Sequence, residues 1–217
     1  MAPTDVKEAP ATRNAAKSRQ RILDAAESVF ATKGLEGTRM AAIASLAGCN
    51  QALLYHYFAG KDELFTAVLE QTYAKIRAAE QKLDLTDLPP IAAMQKLVEF
   101  SFDYVRDNPS FIKLINDENM HGAEHLKASD DARRLNTPLV DTIAAILRAG
   151  VARGDFRVSV DPVQLYITIA SLAYFFTSNR ATLSVVFDLP DANTCFATRR
   201  THIVEVVLGY LRATPAG

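Results

Sequence analysis

Six residues between positions 51 and 61 carry the side chains best suited to hold another molecule: Gln51, Ala52, Tyr55, His56, Tyr57 and Lys61. Gln51 can offer a paired donor and acceptor to an adenine edge, and the methyl of Ala52 can pack on a thymine methyl. Tyr55 and Tyr57 can donate hydroxyls to phosphate oxygens, and Lys61 can add a charge beside exposed backbone N–H groups. Arg39, at the start of the preceding helix, offers the same phosphate chemistry. Tyrosines near a helix end are often core-edge residues instead. Here the conjunction decides, because Gln, Tyr, His, Tyr and Lys follow one another directly after a basic segment. From Arg13 to Lys61 seven Lys and Arg stand against three acids, although the whole chain carries a net charge of −1. Placement rather than total charge governs an electrostatic footprint.

These side chains need rigid elements to hold them, and the apolar spacing supplies helices. Ile22, Ala25, Ala26, Val29 and Phe30 recur at three- and four-residue spacing, with Gly34 at the expected left-handed cap. A short second helix is predicted from Thr38, its N-cap, to Ala47, and Gly48 breaks it. Asn50 is a suitable N-cap for a third helix, 51–58, whose Leu54 and Phe58 share one face. That face turns inward and leaves Gln51, Ala52, Tyr55 and His56 outward. Two short helices around a Gly-containing turn form a helix-turn-helix unit, whose second helix lies in the DNA major groove. Gly60 separates it from a longer fourth helix that starts at Lys61.

Residues 18–70, "SRQRILDAAESVFATKGLEGTRMAAIASLAGCNQALLYHYFAGKDELFTAVLE", resemble the DNA-binding domain of the TetR family of bacterial transcriptional regulators. The matching pieces are RILDAA…F…KG, T…IA..AG and LYHYF..K. Cys49, Asn50 and Ala41 depart from the commonest residues at their positions, and Ala41 offers no phosphate contact. The resemblance implies DNA contacts by Arg39, Gln51, Tyr55, Tyr57 and Lys61. It also implies an all-α chain with an N-terminal three-helix helix-turn-helix domain and a larger C-terminal helical domain for ligand binding and dimerisation.

The expected organisation is therefore a flexible arm at 1–14, a DNA-binding domain at 15–66 and a ligand-binding and dimerisation domain at 67–217. The basic residues Arg13, Lys17, Arg19 and Arg21 could reach the DNA backbone. Beyond residue 70 helices are predicted from Pro90 to Asn108, Ser110 to Asn119, and Glu124 to Ala152 with a break near Asn136 ahead of Pro138. Two more run from Pro162, capped by Asp161, to about Ala181 and from Ala192 to Arg212. Leu165, Ile169, Leu172, Tyr174 and Phe175, then Ile203, Val206, Val207 and Tyr210, exceed what one packing face requires. A homodimer through the last two helices would cover the surplus. Candidate walls of a small-molecule cavity are Phe100, Tyr104, Phe111, Ile115, Asn119, His121, Tyr166 and Phe175.

His121 and His125, four residues apart with Glu118 and Glu124 nearby, could hold a metal in an all-α enzyme. Gly122 between them is poor for a rigid helical site, and a solvated helix end is the plainer expectation. The chain shows no Ser/His/Asp ordering, Gly-rich phosphate loop or HExxH, so neither catalysis nor a cofactor is expected. Cys49 and Cys195 lack ligand spacing and are expected as buried small hydrophobes. At 49% hydrophobic over 217 residues the chain can build a substantial core. Its longest apolar run, 163–176, is too short and too interrupted to span a bilayer, and the basic, proline-bearing start is no secretory signal. The expected setting is the cytoplasm, with operator DNA and a small-molecule effector as partners. The reading is a repressor released by its effector; an activator or a ligand-dependent DNA binder would use the same fold.

Overall fold

The computed structural model describes residues 10–213; positions 1–9 of the expected arm and the Arg13 side chain lie outside the described residues. Among the described residues ten helices follow in order: α1 Pro10–Gly37, α2 Met40–Leu46, α3 Gln51–Tyr57, α4 Lys61–Gln81, α5 Pro90–Asp107, α6 Pro109–Met120, α7 Glu124–Lys127, α8 Asp130–Arg153, α9 Pro162–Val186 and α10 Ala192–Leu211. Helix α1 opens at Pro10, within the stretch 1–14 expected as an arm, and it is broken at Gly34, whose φ of 70° suits glycine. Among the described residues no strand forms; the "FRVSV" stretch contributes an isolated bridge from Phe156 to Arg212.

The chain divides into two compact units, one holding residues up to Gln71 together with Lys113–Ser129, the other Thr72–Ile112 and Asp130 onward. The N-terminal unit closes around Ile22, Phe30, Ile43, Leu54, Phe58, Leu64 and Phe65, each at most 2% exposed. Phe30 and Phe65 meet edge to face with centroids 5.0 Å apart. A later segment completes this unit. Leu114 is fully buried in the same core, and the Asp117 carboxylate accepts the Leu35 N–H at 2.6 Å, just past the break in α1. Ser129 donates to Glu70 at 2.6 Å.

Two expectations for this unit need correction. Thr38 does not cap α2: it is buried and its hydroxyl donates to the Gly34 carbonyl at 2.6 Å, so Arg39 takes the N-cap position without a side-chain cap bond. His125 is no solvated helix end. It is 7% exposed beside Glu118 at 1%, with Nδ1 2.7 Å from the Glu118 carboxylate, whose other oxygen accepts the Leu126 N–H at 2.9 Å. The turn at Gly122 (φ 66°) and Ala123 (φ 59°) folds α7 back and carries His125 inward against Phe65, 5.0 Å between centroids.

In the C-terminal unit α5 packs against α8, α9 and α10. Its apolar face, Met94, Leu97, Val98 and Phe102, is at most 1% exposed and meets Ile143, Leu165, Ile169, Ile203 and Val207. Arg200 on α10 fastens the pair, with its guanidinium 3.0 Å from Asp103 and 3.1 Å from Glu99. Asp161 caps α9 through the Gln164 N–H at 2.8 Å, with Pro162 as the first helical residue. Pro138 lies inside α8, and the interruption falls earlier, between α7 and α8, rather than near Asn136. The turn after α8 pins the end of α10: the Arg157 N–H donates to the Leu211 carbonyl at 2.8 Å. A Cβ at Gly150 would overlap the Phe156 ring, so only glycine allows that turn to close. Both cysteines are free, Cys195 buried and Cys49 half-buried.

Candidate nucleic-acid interface

The third helix is short, so its position depends on its ends and its inner face. The Asn50 carboxamide oxygen accepts the Leu53 N–H at 2.8 Å and satisfies one of the donors a helix start leaves open. Gly48, at φ 63°, makes the turn from α2, and the Cys49 N–H returns to the Ala44 carbonyl at 3.0 Å. Leu54 at 0% and Phe58 at 2% exposure anchor the inner side. The Arg19 guanidinium lies 5.2 Å over the Phe58 ring.

The outer side is open. Gln51, Ala52, Tyr55 and His56 are all exposed, Tyr55 at 52%. Tyr57 is half-buried: its ring meets His56 edge to face at 5.2 Å, and its hydroxyl donates to the Ala15 carbonyl on α1 at 3.2 Å. That bond uses the hydroxyl's single proton and ties the end of α3 to α1. Arg39 is exposed at the head of α2. Lys61 opens α4 with its ammonium 4.0 Å from Glu36, a loose pair that is 27% and 82% exposed on its two sides. Such an exposed pair contributes little to stability and leaves Lys61 available to a stronger anion. The Glu63 carboxylate accepts the Ala59 N–H at 2.6 Å and fixes the approach to α4.

Not every candidate residue of the later chain gathers in one place. Phe100, Tyr104 and Phe111 pack in series, with centroids 5.6 and 6.1 Å apart, and Tyr73 joins Phe111 at 6.1 Å. Tyr166 is half-buried against the core of the C-terminal unit, and Phe175 is 58% exposed on α9. Ile115, Asn119 and His121 belong to the N-terminal unit. Ile115 packs on its core, Asn119 is exposed, and the His121 Nδ1 lies 2.8 Å from the Asp117 carbonyl. That carbonyl, and then the carboxylates of Asp117 and Glu36, hold His121 above the usual imidazole range. Among the described residues no three His, Cys, Asp or Glu side chains gather as a metal site.

Spacing along the chain did not single out Arg77, Glu80 or Asp117. Arg77 and Glu80 follow Tyr73 by four and seven residues on the apolar stripe of α4, a signal that charged type concealed. They line a recess of about 130 Å³ in the C-terminal unit together with Leu85, Leu97 and Leu139. No helix among the described residues is long and apolar enough to cross a membrane.

The family described as "Bacterial regulatory proteins, tetR family" matches residues 22–68, and "Tetracyclin repressor-like, C-terminal domain" matches residues 90–207. The HTH-type transcriptional repressor NicS of Pseudomonas putida is 38% identical over 92% of this chain and 95% of its own. The HTH-type transcriptional regulator RutR of Escherichia coli is 31% identical over 73% of each chain. The solved structure of the ketosteroid transcriptional regulator KstR2 of Mycobacterium tuberculosis superposes with a TM-score of 0.64, 23% identity and coverage of 90% of this chain and 95% of that one. Matched by the C-terminal model over more than half its length and by a relative 38% identical over 92% of it, this chain belongs to the TetR family of bacterial transcriptional regulators.

Proposed function

We propose that the protein is a repressor that grips a palindromic operator as a homodimer and is released by a small-molecule effector bound in its C-terminal unit. One observation carries the reading. Helix α3 is held by Leu54, Phe58 and the Asn50 cap, while Gln51, Ala52, Tyr55 and His56 face outward. In this reading Gln51 and Ala52 read bases, Tyr55 and His56 meet bases or the groove wall, and Arg39 and Lys61 take phosphates. Tyr57 acts through the Ala15 carbonyl, or exchanges that bond for a phosphate oxygen.

A seven-residue helix reaches few base pairs, so specificity calls for two copies. The last two helices offer the means: Ile167 (47%) and Phe175 (58%) on α9 and Val206 (39%) and Tyr210 (46%) on α10 are exposed apolar side chains. Pairing them across a two-fold axis would bury this surface and set the half-site spacing. An effector that fits better when α4 is displaced shifts the population toward a wrong spacing of the two α3 helices. Linkage then requires DNA to weaken effector binding by the same factor, typically equivalent to ~1–3 kcal/mol. The setting of such a regulator is the cytoplasm.

Selection of bound DNA from a random pool tests the proposal. Recovery of a palindrome with half-sites one helical turn or a multiple apart is the expected result. Enrichment without two-fold symmetry, or no enrichment, rejects it.

A further inference from the structure

Arg77 is the least expected residue in the C-terminal unit. It is 6% exposed, and its Nε and Nη1 have no hydrogen-bond acceptor. Glu80 approaches Nη1 to 2.6 Å and supplies charge, but outside hydrogen-bonding alignment. Desolvation pushes the Glu80 carboxyl up to about 7 against the pull of Arg77, so its charge is incomplete at neutral pH. A buried guanidinium with bare N–H groups is costly, and a fold that keeps one has something for it to bind. The surroundings say what. Arg77 and Glu80 line a recess of about 130 Å³ whose other walls include Leu85, Leu97 and Leu139, with a second arginine, Arg134, among its lining residues.

We propose that this recess is the effector site and that the effector is a small organic monocarboxylate, its carboxylate held by Arg77 and its apolar body by Leu85, Leu97 and Leu139. The planar guanidinium matches a carboxylate better than any neutral group, and the leucines reject an ion without an apolar body. The volume suits a small ligand: a cavity of roughly 150 Å³ holds a benzene ring, so a single ring or a chain of similar bulk would fill the recess. Arg77 and Glu80 also sit on α4, the helix that begins at Lys61, so a ligand that draws Arg77 from Glu80 acts on the element assigned to the switch. The proposal rests on the effector reading above.

Calorimetric titration of the full chain with benzoate, cyclohexanecarboxylate and hexanoate, each beside its neutral amide, and with inorganic phosphate, tests it. At least one acid should bind tenfold or more tightly than its amide and than phosphate. Arg77→Met should bring that acid and amide to within about twofold. Should Arg77→Met fail to fold, Leu139→Phe keeps the arginine, fills the recess and should weaken the same acid at least tenfold. Acid and amide alike in the wild type, no acid bound, phosphate binding as tightly as the acid, acid preference surviving in Arg77→Met, or undiminished binding by Leu139→Phe would each overturn the site. A gel shift on the selected operator separates the two readings. Acid preference with unchanged DNA affinity overturns the effector role and leaves the carboxylate site. DNA release by the amides, with no preference for the acids, overturns the carboxylate site and leaves the switch.

Discussion

In the N-terminal unit the polar residues of the candidate interface stand outside a closed apolar core, whereas in the C-terminal unit Arg77 and Glu80 lie within the packing. On the proposed reading the difference follows from what each unit would meet. A duplex is large, charged and wet, so its reader needs a rigid rod with an open polar side, and α3 supplies one from Leu54, Phe58 and the Asn50 cap. A small ligand must be surrounded, so its charged partner bears a desolvation cost inside the unit. The same contrast holds between helices. Helix α3 separates its faces, while α9 is apolar nearly all round, burying Leu165, Ile169 and Phe176 yet exposing Ile167 and Phe175. On the proposed reading one pattern serves DNA and the other a second copy of the chain.

The largest expected effect breaks the contrast at its anchor. Phe58→Ala empties a fully buried site, also releases Arg19, and should destabilise the N-terminal unit by about 3–5 kcal/mol. Chemical denaturation should show this loss, and DNA binding should fall with it. If stability holds while DNA binding fails, Phe58 touches DNA rather than anchoring the helix.

Next comes the interior charge. The Glu80 carboxyl is raised from 4.5 to about 7, so its contribution to stability is complete below the unfolded value and fades as pH climbs through about 7. The span amounts to on the order of 3 kcal/mol. Glu80→Gln should flatten the stability profile between about pH 4.5 and 7, as thermal unfolding across that range would show. A slope unchanged from the wild type would mean that Glu80 is charged throughout.

Phe58 and Glu80 also differ in how far the sequence reveals them. Helix α3 was legible because its signals are local: Asn50 caps within three residues, and Leu54 and Phe58 are four apart. The helices of the C-terminal unit were legible for the same reason, with Asp161 and Pro162 marking the start of α9. Arg77 and Glu80 were not, because a charged residue on an apolar stripe reads as the stripe's edge until partners from other helices enclose it. Asp117 and the Glu118–His125 pair were hidden by the fold, since Asp117 meets Leu35 across 82 positions and the Gly122 turn alone brings His125 inward. Thr38 looked like a cap because its type fits the role, but the positive φ of Gly34 brings the Gly34 carbonyl within reach of its hydroxyl instead.

Two smaller effects sharpen the surface side. Asn50→Ala removes the bond to the Leu53 N–H and should cost about 1 kcal/mol of stability, leaving the identity of preferred bases unchanged. Unfolding together with DNA selection checks both halves. Lys61→Ala should weaken all DNA sequences alike and make the plot of log affinity against log salt shallower by about 0.9 for each phosphate the lysine neutralises. An unaltered salt slope would place Lys61 with Glu36 in the complex, as it is in the free protein.

That the outer side of α3 rests on duplex bases is best probed by repeating the DNA selection with Gln51→Ala beside the wild type. Both proteins should recover the same palindrome and half-site spacing, with preference relaxed in the variant at one position per half-site by ~1–3 kcal/mol. An identical base profile from the two would mean that Gln51 reads no base and that α3 does not lie in the groove as described.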